Sequence, residues 1–143
     1  MRTLESASSV TTPTFIVPGG EALSRETMSS TEAVLEHHLD AFTEQDLEAV
    51  MEDYVEDSVV VTNMGTFRGL EEIEGLFENL FAEFSQEGSS ITMDEQLVEG
   101  DFGYIVWHAE TPDNVYEFAT DTFHIPDDAI AFQTFAGKLS PKE

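Results

Sequence analysis

The segment from Asp101 to Ile125 constrains the fold more than any other part of the chain. It carries two long runs rich in β-branched and aromatic residues around one short stretch of turn chemistry. Thr111-Pro112-Asp113-Asn114 favours a tight reversal, so the two runs read as the arms of one antiparallel hairpin. Pairing Glu110 with Val115 and counting along uninterrupted arms places Phe102, Tyr104, Val106 and His108 on one face with Glu117, Ala119, Asp121 and Phe123. The other face receives Gly103, Ile105, Trp107 and Ala109 with Tyr116, Phe118, Thr120 and Thr122. Both faces are largely apolar, which predicts a sheet packed on helices on one side and on something else on the other. A slip of one residue would regroup the arms against each other.

The rest of the chain supplies the helices. Val34, Leu35, Leu39, Ala41 and Phe42 recur at helical spacing over 31–43, with His38 inside the stripe and Ser29-x-x-Glu32 as a capping box ahead of it. A short helix follows over 46–54, with Asp46 in its first turn and Leu47, Val50, Met51 and Tyr54 on one side. Residues 58–63 form a strand by β-branching, and 65–69 interrupt it. Leu70, Ile73, Leu76, Phe77, Leu80, Phe81 and Phe84 then give the strongest helical stripe, closed by Gly88. Strands are expected over 91–99, through the hairpin, and over 129–135. Helices grouped ahead of strands predict an α+β domain in which a curved antiparallel or mixed sheet wraps over helices. Residues 1–27 show no sustained period and read as a flexible or loosely docked arm, with Met28 a possible start; 28–137 read as one domain and 138–143 as a polar tail.

Composition narrows the functional classes. With 143 residues and 41% hydrophobic content the chain suits a single core, and without cysteine it has no disulfide, thiolate nucleophile or sulfur-bound zinc. No apolar run approaches the ~18 residues of a membrane span, and the N-terminus lacks a signal peptide's apolar core, so a cytoplasmic location is expected. Thirty acidic residues against five basic ones give a formal charge of −25, which opposes nucleic acid and anionic membranes. Self-repulsion of that size fades when molar salt shortens the Debye length to ~3 Å, so the charge predicts a halophilic protein of a salt-rich cytoplasm. Lys138 and Lys142 are the only lysines.

Three stretches and one strand together resemble a known superfamily. They are Phe42-Thr43-Glu44-Gln45-Asp46-Leu47, Tyr54-Val55-Glu56-Asp57-Ser58-Val59-Val60, Gly65-Thr66-Phe67-Arg68-Gly69-Leu70-Glu71-Glu72-Ile73 and Ala119-Thr120-Asp121-Thr122-Phe123. In order and spacing the chain resembles the nuclear transport factor two-like superfamily, in its SnoaL-like and ketosteroid-isomerase-like branches. The resemblance implies a cone-shaped roll, a bent sheet closed by three helices around an apolar pocket, often dimeric through the outer sheet face. An outer apolar face of Ile105, Trp107, Tyr116 and Phe118 would suit such a homodimer.

Ketosteroid isomerases stabilise an enolate with a tyrosine and a protonated aspartic acid while a second aspartate moves the proton. The resemblance places Asp121 at the protonated acid, His38 at the tyrosine and Tyr54 at a supporting aromatic. Thr62 falls at the proton-carrying aspartate and cannot serve as a base, so that mechanism is incomplete here.

The residues themselves point to cofactor-free acid/base chemistry. A carboxyl group in an apolar cone is disfavoured when ionised, so Asp121 should hold its proton to higher pH and donate near neutrality. His108, facing Glu117 in the counted register, and His38 are the proton-carrying partners; His37 and His124 are expected at the surface or an interface. Tyr54, Thr62, Tyr104, Val106, Glu117, Ala119, Phe123 and Phe132 are the expected pocket lining. No His-x-x-x-His or Glu-x-x-His spacing points to a metal, and no glycine loop or nucleophile elbow points to phosphate or acyl transfer. The expected activity is that of an isomerase, cyclase, dehydratase or hydrolase without cofactor or metal, acting on a small apolar carbonyl or hydroxyl compound. The alternatives are a non-catalytic pocket for such a molecule and a dimeric module whose phenylalanines, Phe77, Phe81, Phe84, Phe102, Phe123 and Phe132, fill its own hollow.

Overall fold

Apart from Arg2–Thr3 (β1), Ile16–Val17 (β2) and Glu21–Ala22 (β3), the computed structural model describes residues 29–142, so most of the expected arm and the Met28 start lie outside the described residues. Helix α1 (Ser30–Glu44) opens on the capping box, with Ser29 and Glu32 each accepting from the other's backbone N–H, and closes at Gln45 in the left-handed region. Asp46 caps α2 (Leu47–Met51) by accepting from the Ala49 N–H. That helix stops three residues earlier than its periodicity predicts, and Tyr54 is instead the first residue of β4 (Tyr54–Thr62). Residues 65–69, expected to interrupt the strand, instead supply β5 (Gly65–Arg68), which folds back on β4 through Asn63 and Met64, and α3 (Gly69–Phe84) follows.

The second half is strand throughout: β6 (Ser90–Glu99), β7 (Phe102–Glu110), β8 (Asn114–His124) and β9 (Ile130–Pro141). The expected polar tail is therefore mostly strand, because β9 pairs antiparallel with β8 as far as Pro141 opposite Asn114. The sheet order is β1-β6-β7-β8-β9-β4-β5, with β9 parallel to β4 and every other pair antiparallel. The sheet is curved and open, and the helices pack against one face of it in a shared core. Gly103 lets α1 approach β7: a Cβ there would lie 3.1 Å from Leu35 Cδ2. Leu35, Val50, Ile73, Phe123, Ile125 and Ile130 form the fully buried centre of the core.

Two irregularities aim the side chains. The first lies in β4, whose pairing with β9 jumps from Tyr54 opposite Ile130 to Val59 opposite Phe132, leaving Val55, Glu56 and Asp57 exposed. Ser58 holds this bulge by accepting from the Val55 N–H and donating to the Ile130 carbonyl. The second lies in the β7–β8 hairpin. Glu110 pairs with Val115 and Ala109 with Tyr116, but the next pair is Trp107 with Ala119, so β8 carries one extra residue at Glu117–Phe118.

Candidate functional site

The extra residue in β8 reverses the facing of the far part of the hairpin. Beyond it, Ile105 pairs with Asp121 and Gly103 with Phe123, and these residues turn inward together with Trp107 and Ala119. Tyr116, on the turn side of the bulge, also faces inward and is buried. Ile105, Trp107 and Tyr116, expected on an outer dimer face, are therefore interior residues; Phe118 alone of that set is exposed. Tyr104, Glu117 and Phe132, expected to line the pocket, are exposed, and Val106, opposite Thr120, shares their outward face. His108 also turns outward, with its side chain 47% accessible and Nδ1 2.8 Å from Asp94 Oδ2, and so cannot serve the interior. His124 stacks on Phe102 on the outer surface, their ring centroids 4.6 Å apart.

Between the helices and the inward face of the sheet lies an apolar cavity of about 110 Å³. Its walls come from α1 (His38, Leu39, Phe42), α3 (Leu76, Phe77, Leu80, Phe84) and the inward positions of the sheet, including Val60, Thr62, Ile105 and Trp107. Met64, exposed at the β4–β5 turn, also borders it. An apolar cavity of about 150 Å³ holds benzene, so this one matches a compound built on one small ring.

Three polar side chains on that wall matter: Asp121, Gln133 and His38, all buried. Trp107 Nε1 donates to Asp121 Oδ1 at 2.8 Å, and Gln133 Nε2 donates to Oδ2 at 2.9 Å. Gln133 Oε1 in turn accepts from the Tyr54 hydroxyl, so the chain Tyr54–Gln133–Asp121–Trp107 crosses β4, β9, β8 and β7. Burial pushes the Asp121 carboxyl above its ordinary value of 3.8, while the Trp107 and Gln133 hydrogen bonds and the nearby His38 act against the rise. Burial, reinforced by the charges of Asp121 and Asp53, also raises the Tyr54 hydroxyl well above its ordinary range, so it remains a donor.

His38 projects from α1 with its ring edge-on to Tyr54, Phe77 and Phe123 at centroid distances of 5.4–5.8 Å. Of the sequence-derived residues, the structure gathers Asp121, His38, Thr62 and Phe123 on the cavity wall, with Tyr54 one hydrogen bond behind. Gln133 escaped sequence reasoning, although its place among Ile130, Phe132 and Phe135 on a β-branched and aromatic strand marks it as a polar intruder. Among the described residues no three metal-ligating side chains converge, and no helix is long and apolar enough to cross a membrane.

Comparison with known proteins converges on one fold. The family model for the SnoaL-like domain matches residues 35–137. Among solved structures, an NTF2-like protein of unknown function from Mesorhizobium loti is 19% identical, with a TM-score of 0.66 over 76% of this chain and 91% of that one. A candidate ketosteroid isomerase from Kribbella flavida is 11% identical, with a TM-score of 0.65 over 80% of this chain and 82% of that one. A candidate polyketide cyclase from Sinorhizobium meliloti is 20% identical, with a TM-score of 0.62 over 76% and 99%. No curated protein matches the chain.

Proposed function

The chain belongs to the SnoaL-like domain family, and from that premise we propose that its cavity binds a small, mainly apolar carbonyl or hydroxyl compound and moves a proton on it without a cofactor. The observation that carries this reading is the placing of a buried carboxyl group and a buried imidazole on the wall of one apolar cavity. Burial shifts Asp121 toward its protonated form, in which it donates a hydrogen bond to the ligand's oxygen and so stabilises the negative charge that develops there. His38 takes or returns the proton on the neighbouring carbon. Thr62 has no proton of suitable acidity to exchange and serves as lining. The structural neighbours named as a candidate ketosteroid isomerase and a candidate polyketide cyclase support this class of reaction.

A non-catalytic pocket is the second reading, favoured by the fact that both Asp121 oxygens already accept a hydrogen bond from the protein. One pair of measurements separates the two. Trp107 is the only tryptophan and lines the cavity, so its fluorescence reports occupancy. Cyclohexanone is expected to change that emission and to exchange the hydrogens beside its carbonyl for deuterium in D2O, with Asp121→Asn or His38→Gln slowing exchange roughly 10²-fold or more. Binding without exchange above buffer would establish the second reading, and neither signal would remove both.

A further inference from the structure

Asp53 lies just before β4 and is buried, yet it belongs neither to the cavity wall nor to the chain of hydrogen bonds through Asp121. It sits between two consecutive histidines of α1. His37 Nδ1, on the solvent side, lies 2.8 Å from Asp53 Oδ1 and 3.0 Å from Oδ2. His38 Nδ1, on the interior side, lies 3.7 Å from the same Oδ2 and is the one buried side-chain polar atom among the described residues without a hydrogen-bond partner. A lone pair on that nitrogen would face a carboxylate, whereas an N–H would face it favourably.

We propose that Asp53 is a positioning residue for His38: its carboxylate keeps the proton of the neutral ring on Nδ1 and leaves Nε2 unprotonated as the nitrogen available to the cavity. The consequence for chemistry rests on the acid/base reading above. A base must present a lone pair to its substrate, and the imidazolium formed on accepting a proton is stabilised by the carboxylate behind it. The charged and titratable groups around the pair are Asp121 on the cavity side of His38, Tyr54 edge-on to its ring, and His37 with Glu52 on the outer side of Asp53. The signal is absent from sequence spacing, because Asp53 reaches α1 only through the turn that follows α2.

The tautomer can be observed whether or not any substrate is turned over. Long-range proton–nitrogen NMR of the full chain at about pH 8, where an ordinary imidazole is neutral, is expected to show His38 protonated at Nδ1. Asp53→Asn should move the proton partly or wholly to Nε2 and lower kcat for cyclohexanone exchange with little change in KM. His37→Gln, which leaves the Asp53 charge in place, should preserve the tautomer. A wild-type His38 protonated at Nε2, or a tautomer unmoved by Asp53→Asn, would overturn the proposal. If Asp53→Asn does not fold, the wild-type spectrum decides. A tautomer as expected with no exchange activity would retain Asp53 as a positioning residue while removing the catalytic reading.

Discussion

Burial makes Asp121 hold its proton more tightly than water would, and the effect should be visible in stability. Its pKa in the folded chain lies above the ordinary 3.8, so the folded form binds its proton more tightly than the unfolded chain does. A shift of this sign contributes stability fully below the unfolded value, and that contribution is lost as pH rises from 3.8 through the folded value. Asp121→Asn cannot ionise, but it sets an NH2 group against either Trp107 or Gln133, both of which donate to the present carboxyl group. The variant should therefore be less stable than wild type by about 1–3 kcal/mol in acid, with the gap narrowing as pH rises. Urea midpoints for both proteins across that range would check this; a gap constant with pH would show that the carboxyl group titrates as it does in the unfolded chain.

At the scale of elements, α3 is tied to the β7–β8 hairpin through a single carboxylate. Glu83 accepts from Thr111 Oγ1 at 2.7 Å, from Asn114 Nδ2 at 2.8 Å and from the Tyr116 hydroxyl at 2.8 Å. Thr111 itself closes the turn by accepting from the Asp113 and Asn114 N–H groups. Glu83→Ala leaves three donors without their acceptor and should lower stability by about 2–4 kcal/mol, read from urea unfolding, while Glu87→Ala in the exposed loop beyond should change little. Most elements were legible in the sequence, because the capping box at Ser29 and Glu32, the stripe from Ile73 to Phe84 and the turn at Thr111 all act locally; β5, read as an interruption, and the end of β9, read as a tail, were not, since both take their strand form from pairing with a neighbour. The facing of β7 was not, because alternation can be counted only along an unbroken ladder. The extra residue at Glu117–Phe118 has no glycine or proline to announce it, and it alone moves Ile105 and Trp107 inward and Tyr104 and His108 outward. Asp121 could be placed with Ala119 and Phe123, which lie on its own side of the extra residue, but its partners Trp107 and Gln133 could not, since both contacts depend on pairings across strands.

The whole molecule carries a charge of −25, and its two lysines both lie beside acids, Lys138 with Glu117 at 3.5 Å and Lys142 with Glu110 at 2.6 Å. Two exposed ion pairs offset little of that repulsion. Raising KCl from about 0.1 M to about 1 M shortens the Debye length from ~10 Å to ~3 Å and should raise the melting temperature by about 5 °C or more. A melting temperature that stays level or falls would reject the salt-adapted reading.

The parallel contact of β9 with β4 means that the strand of this sheet made latest is also the one seated between its two halves, with Val59 opposite Phe132 and Asp121 opposite Phe135. While it is still in the exit tunnel, β4 and β8 each present an unpaired edge, and Gln133, which links Tyr54 to Asp121, has not yet been delivered. Closure joins segments some seventy residues apart, a slow kind of search. The pocket therefore cannot form before β9 is made, and a nascent chain stalled short of residue 130 would be a sticky, open-sided sheet.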